Sequence, residues 1–117
     1  FGVIDLQKIL DSLTEDEIVI DCRTPNEYKG GHIPGAINIP MGKELDHFDE
    51  LGVYSKIYLY CQSGRRSQSV YTFLLSKGLK NMVCLGSSGL DDWIKCGFQI
   101  ERSSNKLTIK EKSNDGF

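Results

Sequence analysis

The chain has 117 residues, the usual size of one compact domain. Its 14 Lys and Arg residues and 16 Asp and Glu residues give a net charge of −2, so a basic surface that attracts nucleic acid or acidic lipid is not expected. Hydrophobic residues make up 39% of the chain, and no apolar run approaches the roughly 20 residues that cross a bilayer. We therefore expect one globular domain without nucleic-acid or membrane contact.

The cysteines and histidines do not have the spacing of a zinc site. His32 and His47 are isolated, and none of the four cysteines forms a C-x-x-C pair: Cys22, Cys61, Cys84 and Cys96. Four cysteines allow three disulfide pairings. A chain of this length can bury a core without cross-links, so free thiols are favoured and no metal is expected.

Helical and strand patterns alternate along the chain. In chain order we predict a helix, two strands, a helix, a strand, a helix, a strand and a helix, at residues 6–13, 18–20, 36–39, 45–51, 57–60, 70–75, 82–85 and 90–94. The strands are continuously apolar, which is typical of a mainly parallel sheet covered on both faces. We expect this α/β domain to occupy residues 1–102, followed by a polar C-terminal tail or linker at 103–117.

The polar turn after the third predicted strand has the composition of an anion site. That strand ends at Cys61, at the edge of the sheet where open α/β folds bind ligands. Backbone N–H groups of the turn, the helix N-terminus and the cations Arg65 and Arg66 are expected to lower the pKa of the thiol. Hydroxyl donors follow at Ser63, Ser67 and Ser69. The pattern predicts a nucleophilic cysteine that acts on an anionic substrate. The alternative is a buried structural cysteine followed by an exposed basic turn.

Four segments, in order, resemble the rhodanese-homology family, in its single-domain, thiosulfate sulfurtransferase-like form. Residues 18–28 resemble its strand with Asp-x-Arg and Glu-Tyr, and residues 31–40 its His-Ile-Pro-Gly-Ala block. Residues 60–67 resemble its active-site loop, and residues 83–86 with Trp93 resemble the segment near its end. The resemblance implies a three-layer rhodanese-like fold, with a central, mainly parallel sheet flanked by helices on both faces.

The same resemblance implies a persulfide cycle. Cys61 takes sulfane sulfur from thiosulfate or another small anionic donor, and a thiol, cyanide or a partner protein accepts it. The resemblance assigns the substrate- and persulfide-binding loop to Gln62, Ser63, Gly64, Arg65, Arg66 and Ser67. Arg66 falls at the loop-closing position, and Arg65 is the expected steering residue for an anionic donor. No metal or organic cofactor is implied, and a cytoplasmic location is expected.

Two alternatives to a sulfurtransferase remain open. The related phosphatases and arsenate reductases resemble Cys-x5-Arg, whereas this chain has Cys61-x4-Arg66 and a serine at position 67. The shorter loop favours a single sulfur atom over a tetrahedral oxyanion. A non-catalytic rhodanese-like interaction module is the other alternative, although such modules usually lack the cysteine that this chain keeps.

Structural support is expected from Asp21, Arg23, Glu27 and His32. The spacing of Asp21 and Arg23 after a strand suggests an ion-pair network that fixes the loop of residues 31–36. Glu27 is assigned a similar role. In the resembled family, a histidine at the position of His32 fixes the same loop rather than acting as a general base.

Two further features lie close to the predicted site. Cys22 follows a strand end, and we hold as a hypothesis that it attacks a Cys61 persulfide. Ser87 and Ser88 separate two glycines that the family pattern places together. We expect this altered loop to lie beside Cys61.

Overall fold

The structure is a computed structural model that describes residues 1–102. The predicted tail at 103–117 lies outside the described residues and remains a prediction. Residues 1–102 form these elements, with a 3₁₀ turn at Glu44–His47 before α3: α1 (Val3–Leu10), β1 (Glu17–Asp21), α2 (Pro25–Lys29), β2 (Ile37–Asn38), α3 (Phe48–Leu51), β3 (Lys56–Tyr60), α4 (Arg65–Ser76), β4 (Met82–Cys84) and α5 (Leu90–Lys95).

The four strands form one parallel sheet in the order β2-β1-β3-β4. In the centre, Ile20 of β1 is paired with Ile37 of β2 on one side and with Leu59 of β3 on the other. Parallel neighbours need connections that return the chain to the same end of the sheet, and the intervening helical segments supply them. The expected α/β class with a parallel sheet is confirmed.

Alternate strand residues enter two apolar cores, one on each face of the sheet. On one face Ile20 packs in a cluster that includes Leu74 of α4. On the other face Val19 belongs to a cluster with Leu6 of α1 and Trp93 of α5. Because both faces are covered, both sets of alternating side chains are apolar, which explains the continuous rather than alternating pattern of the strands.

Helix α2 was not predicted. It has five residues, too few to show a helical period. Its signal is local, because Thr24 and Glu27 form a capping box and Pro25 occupies the first helical position. The Glu27 N–H donates to Thr24 Oγ1 at 3.3 Å, and the Thr24 N–H donates to Glu27 Oε1 at 2.9 Å.

Helix α4 begins at Arg65, a few residues after Cys61, as expected for a helix that follows the polar turn. The apolar spacing alone starts only at Val70. The first turn of α4 is polar and contains the loop residues Arg66 and Ser67, so hydrophobic periodicity does not reveal it. The helix ends at Ser76, as the Lys77-Gly78 stop signal predicts, and Gly78 has φ +98°.

The sheet brings the carboxyl ends of β1 and β3 together. Asp21 is paired with Tyr60, and each is the last residue of its strand. Cys22 and Cys61 follow directly, so the residues after both strands leave the sheet at one edge. No helix within residues 1–102 is long and apolar enough to cross a membrane.

The packing of α4 is tested by two leucines that follow each other on that helix. Leu74 is fully buried, whereas Leu75 is 47% exposed. Leu74→Ala is expected to lower the free energy of unfolding by about 2–5 kcal/mol, because it removes buried methyl groups and leaves a cavity. Leu75→Ala, the matched control, is expected to change it by about 0.5 kcal/mol or less. Urea unfolding measures both, and equal losses would contradict the assigned face of α4.

Candidate active site

Two backbone N–H groups converge on the sulfur of Cys61. The residue follows β3 directly, and its side chain is only 1% exposed. The N–H of Gly64 lies 3.1 Å from Sγ and the N–H of Ser67 lies 3.3 Å from it. Ser67 Oγ is 3.5 Å from the same sulfur. The two N–H donors of this small bowl favour negative charge on Sγ.

The bowl depends on a chain reversal at Gly64. This residue has φ +113°, in the region that L side chains rarely adopt, and it immediately precedes α4. A Cβ at Gly64 would lie 2.6 Å from the carbonyl oxygen of Gly86. A side chain at position 64 would therefore require the loop of residues 86–89 to move. The reversal places Ser67 in the first turn of α4, where its N–H has no partner within the helix and points toward Cys61.

Hydrogen bonds shift the acidity of Cys61. Burial raises the pKa of this thiol. The hydroxyl and N–H of Ser67, followed by the N–H groups of Gly64 and Ser63, lower it, and the resulting pKa lies below the ordinary value for cysteine. The sequence analysis expected the backbone N–H groups of the turn, the helix N-terminus and the cations Arg65 and Arg66 to lower this pKa together. In the structure the largest lowering contributions come from the donors of the loop itself.

The loop of residues 86–89 closes over the Cys61 loop, as expected from the sequence. The N–H of Leu90 donates to the carbonyl of Cys61 at 2.9 Å, and that of Asp91 donates to the carbonyl of Gln62 at 3.1 Å. A Cβ at Gly89 would overlap both carbonyl oxygens, so only glycine permits this approach. The start of α5 therefore fixes the backbone on which the bowl is built.

A buried ion pair connects the Cys61 loop to the loop of residues 31–36. Arg23 and Asp21 are almost fully buried, and Arg23 Nη2 lies 2.9 Å from Asp21 Oδ2. Arg23 also donates from Nη2 to the Gly31 carbonyl at 2.6 Å and from Nη1 to Gln62 Oε1 at 3.0 Å. The Tyr60 hydroxyl donates to Asp21 Oδ2 at 2.7 Å. These contacts support the structural role proposed for Asp21 and Arg23.

Arg66 is held by Glu27. Its two terminal nitrogens donate to the two carboxylate oxygens of Glu27 at 2.8 and 3.1 Å. The Arg66 guanidinium is the main cause that lowers the pKa of Glu27 to about 2. Because this pKa is lowered, the Arg66–Glu27 pair contributes its full stabilisation of the fold at pH values above the ordinary pKa of Glu27. That stabilisation is lost as the pH falls through about 2.

His32 is built into the neighbouring loop rather than aimed at Cys61. It is fully buried, its ring stacks on Tyr28 with centroids 3.7 Å apart, and its Nδ1 is 2.7 Å from the Tyr28 carbonyl. Its N–H and carbonyl form two 2.8 Å hydrogen bonds with the backbone of Glu101. These contacts are those of a positioning residue, which supports the structural role proposed for it.

Arg65 and Ser63 face solvent beside the bowl. They line an open groove of about 780 Å³, together with residues from the outer face of α4 and from the loop of residues 86–89: Gln68, Ser69, Thr72, Phe73 and Gly86. Arg65 has no ion-pair partner within residues 1–102, so its charge is available to an incoming anion. Within the same described residues, no group of three or more His, Cys, Asp and Glu side chains is arranged to hold a metal ion.

Sequence reasoning missed two polar residues that shape the site. Asn38 donates from Nδ2 to the carbonyls of Asp21 and Arg23 at 3.0 and 2.9 Å, which fixes the turn after β1. Asp91 accepts a hydrogen bond from the side-chain amide of Gln62. The signal for Asn38 is a polar residue inside an apolar strand, whereas nothing local distinguishes Asp91 at its exposed position on α5.

The close approach at Gly64 predicts a specific loss. Gly64→Ala is expected to slow alkylation of Cys61 by iodoacetamide at neutral pH and to lower stability by about 1–2 kcal/mol or more, because the added Cβ is strained and collides with Gly86. Gly78→Ala is the matched control, since its φ is also positive but a Cβ there meets open space. It is expected to lose stability without slowing alkylation. Equal alkylation rates in the two variants would contradict the assigned constraint.

The Ser67 hydroxyl predicts a shift in pH dependence. Ser67→Ala removes a group that lowers the pKa of Cys61, so the midpoint of the alkylation-rate profile is expected to move to higher pH. Ser69→Ala, an exposed position on the same helix, is expected to leave the midpoint unchanged. A midpoint that falls or stays in place in Ser67→Ala would be inconsistent with this contribution.

Comparison with known proteins agrees with this architecture. Residues 4–96 match the rhodanese-like domain family. The uncharacterized protein YqhL of Bacillus subtilis is 36% identical over 95 residues, which cover 74% of this chain and 75% of that protein. A sulfurtransferase of Allochromatium vinosum is 32% identical over 94 residues, covering 80% of this chain and 85% of that protein. A thiosulfate sulfurtransferase of Pseudomonas aeruginosa superposes with a TM-score of 0.81 at 24% identity, over 92% of this chain and 21% of that chain. The chain is therefore a member of the rhodanese-like domain family.

Proposed function

We propose that this domain is a sulfurtransferase that carries sulfane sulfur as a persulfide on Cys61. The observation that carries the proposal is the convergence of the Gly64 and Ser67 N–H groups on the Cys61 sulfur. These donors favour the thiolate needed for attack, and they suit the negative charge that a bound sulfur atom retains. Membership of a family with sulfurtransferases among its relatives agrees with this chemistry.

The first half of the cycle loads the sulfur. With thiosulfate as donor, the Cys61 thiolate attacks the outer sulfur atom, the sulfur–sulfur bond of thiosulfate breaks, and sulfite leaves with the bonding electron pair. Cys61 then holds a persulfide whose terminal sulfur is negatively charged. The loop donors are already in place before the reaction, so little reorganisation is needed as the charge moves outward.

The second half of the cycle removes the sulfur atom from Cys61. A nucleophilic acceptor attacks the terminal sulfur, and the electron pair of the persulfide bond returns to Cys61 as thiolate. Cyanide gives thiocyanate, a small thiol gives its own persulfide, and a partner protein accepts the sulfur on a cysteine. Because the first product leaves before the acceptor reacts, ping-pong kinetics are expected.

The contacts of Arg66 argue against the phosphatase or arsenate reductase alternative. A loop that binds a tetrahedral oxyanion needs an arginine fork directed at the anion. Here both terminal nitrogens of Arg66 are engaged by Glu27. The remaining donors at Cys61 are few and close to one atom, which suits a single sulfur. The lowered pKa of Cys61 argues equally against a purely structural cysteine or a silent interaction module.

We place this cycle in a reducing compartment such as the cytoplasm, because Cys61 must remain unpaired to accept sulfur. All four cysteines are free in the structure. The proposed partners are a small anionic sulfur donor and a thiol or protein acceptor.

Intact mass spectrometry tests the proposal. Reduced protein is incubated with thiosulfate and separated from excess reagent. A gain of one sulfur atom that cyanide removes as thiocyanate is expected. Cys61→Ala is expected to gain none, whereas Cys96→Ser, which alters an exposed thiol, should load like the unaltered chain. In fully reduced protein, absence of the adduct with both thiosulfate and inorganic polysulfide, and no release of sulfite from thiosulfate, would overturn the assignment. Hydrolysis of a phosphate ester or reduction of arsenate by the same protein would overturn it as well.

Arg65 is expected to attract the anionic donor. Arg65→Gln should raise KM for thiosulfate by about two- to fivefold with little change in kcat, since an exposed charge pair contributes up to about 1 kcal/mol. Salt should shrink the difference. Lys80→Gln removes the same charge beyond the opposite end of α4 and serves as control. A kcat defect without a KM change in Arg65→Gln would contradict a steering role.

A further inference from the structure

Cys22 and Cys61 are neighbours across two adjacent strands. The β1–β3 register pairs Asp21 with Tyr60, and the N–H of Cys22 then donates to the Tyr60 carbonyl at 2.9 Å. In a parallel ladder that bond continues the register by one step, which sets Cys22 opposite Cys61. Neighbouring strands lie about 4.8 Å apart, within the roughly 4.4–6.8 Å of Cα separation that a disulfide spans.

The two side chains also share one face of the sheet. Both belong to the apolar cluster that contains Ile20 and Leu59, the residues two positions earlier on their strands. Cys22 is 1% exposed, so its thiol is buried as deeply as that of Cys61. Burial, and then the negative charges of Asp21 and Cys61, raise the pKa of Cys22 well above its ordinary value. A protonated thiol is therefore held beside the sulfur that carries the chemistry.

We propose that Cys22 is a resolving thiol that releases the sulfur carried by Cys61 as hydrosulfide and closes a Cys22–Cys61 disulfide. The inference rests on the proposed function, because it needs the Cys61 persulfide. It gives the domain a second outcome besides transfer to an external acceptor. Persulfide left without an acceptor is converted to hydrosulfide within the same chain.

The step balances without an added oxidant. The Cys22 sulfur attacks the inner sulfur of the persulfide, the bond between the inner and terminal sulfur atoms breaks, and the terminal sulfur leaves with the electron pair. The proton of the Cys22 thiol goes to that departing sulfur, which becomes hydrosulfide. Cys22 is oxidised and the terminal sulfur is reduced. The N–H groups of Gly64 and Ser67 contact Cys61 Sγ, so they lie at one end of the bond that breaks.

Return to the starting state needs a dithiol reductant in solution. Such a dithiol reduces the Cys22–Cys61 disulfide by exchange and is itself oxidised to a disulfide. With thiosulfate as donor, the net reaction converts thiosulfate and a dithiol into sulfite, hydrosulfide and the oxidised dithiol. This sequence is distinct from transfer to cyanide, in which Cys22 takes no part.

Cys84 provides a matched control within the same sheet. It is paired with Leu59, two residues before Cys61 along β3, so its Cα is roughly 8 Å from that of Cys61 and outside the range of a disulfide. It is half-buried and burial raises the pKa of its thiol, as for Cys22. The two cysteines thus share their chemistry and differ in their register with Cys61.

The test follows the fate of the persulfide in the absence of any acceptor. Reduced protein is loaded with thiosulfate, freed of excess reagent and of external thiols, and sampled by intact mass while hydrosulfide is measured. The persulfide is expected to give way to a species two hydrogen atoms lighter than the reduced chain, with one hydrosulfide released per chain and a mapped Cys22–Cys61 linkage. Cys22→Ser and Cys22→Ala should prolong the persulfide by at least about tenfold, because the intramolecular attack is lost. Cys84→Ser should behave as the unaltered chain.

Failure of this inference and failure of the proposed function are distinguishable. Persulfide that loads normally but decays equally in the unaltered chain and both Cys22 variants overturns the resolving role and leaves sulfur transfer intact. A disulfide that maps to Cys84 overturns it as well. If thiosulfate loads no sulfur, thiosulfate is not the donor, and inorganic polysulfide is then used to place sulfur on Cys61. The same comparison of lifetimes then decides the role of Cys22.

Discussion

The reversal of the chain at Gly64 is the constraint on which the site depends. Its positive φ and its lack of a side chain let the backbone pass against Gly86, and this turns the N–H groups of Gly64 and Ser67 onto one sulfur atom. Neither donor is strong alone. Together they offset the cost of burying negative charge at Cys61, where solvent is nearly absent. The start of α5, which follows the loop of residues 86–89, reinforces this arrangement. Its N–H groups donate hydrogen bonds to the carbonyls of Cys61 and Gln62.

The arginines around the site have separate tasks. Arg23 is buried with Asp21 and joins two loops, and Arg66 is clamped by Glu27 across 39 residues of sequence. Both charges are satisfied by carboxylates, so they add rigidity near Cys61 and leave the sulfur to the neutral donors of the backbone. Only Arg65 keeps its charge exposed to solvent beside the groove. A loop that is rigid around the Cys61 sulfur and carries the exposed charge of Arg65 at its rim suits a small anionic donor that transfers one sulfur atom.

Local patterns in the sequence predicted the strands, the parallel α/β class and the position of Cys61 at a strand end, because each follows from short-range periodicity and turn chemistry. Long-range partners were not accessible in this way. The clamp between Arg66 and Glu27 joins residues 39 positions apart, and nothing near either residue specifies its partner. A reaction between Cys22 and Cys61 was a hypothesis from the sequence, but the register that sets them opposite each other is visible only in the sheet. The first turn of α4 is polar because it serves the site rather than the core, so apolar spacing does not reveal it, and its position was expected only from the turn after Cys61.

Transfer to an external acceptor and release as hydrosulfide would both begin from the same atom, a sulfur bound to Cys61. A crystal structure of the reduced Cys22→Ser variant soaked in thiosulfate shows directly whether Cys61 carries that sulfur, because this variant is expected to retain the persulfide. We expect one added sulfur atom bonded to Cys61 Sγ, enclosed by the loop of residues 62–67 and within hydrogen-bond reach of its backbone N–H groups. An unmodified sulfur with intact thiosulfate bound beside it, or an added atom directed away from the loop, would contradict this expectation.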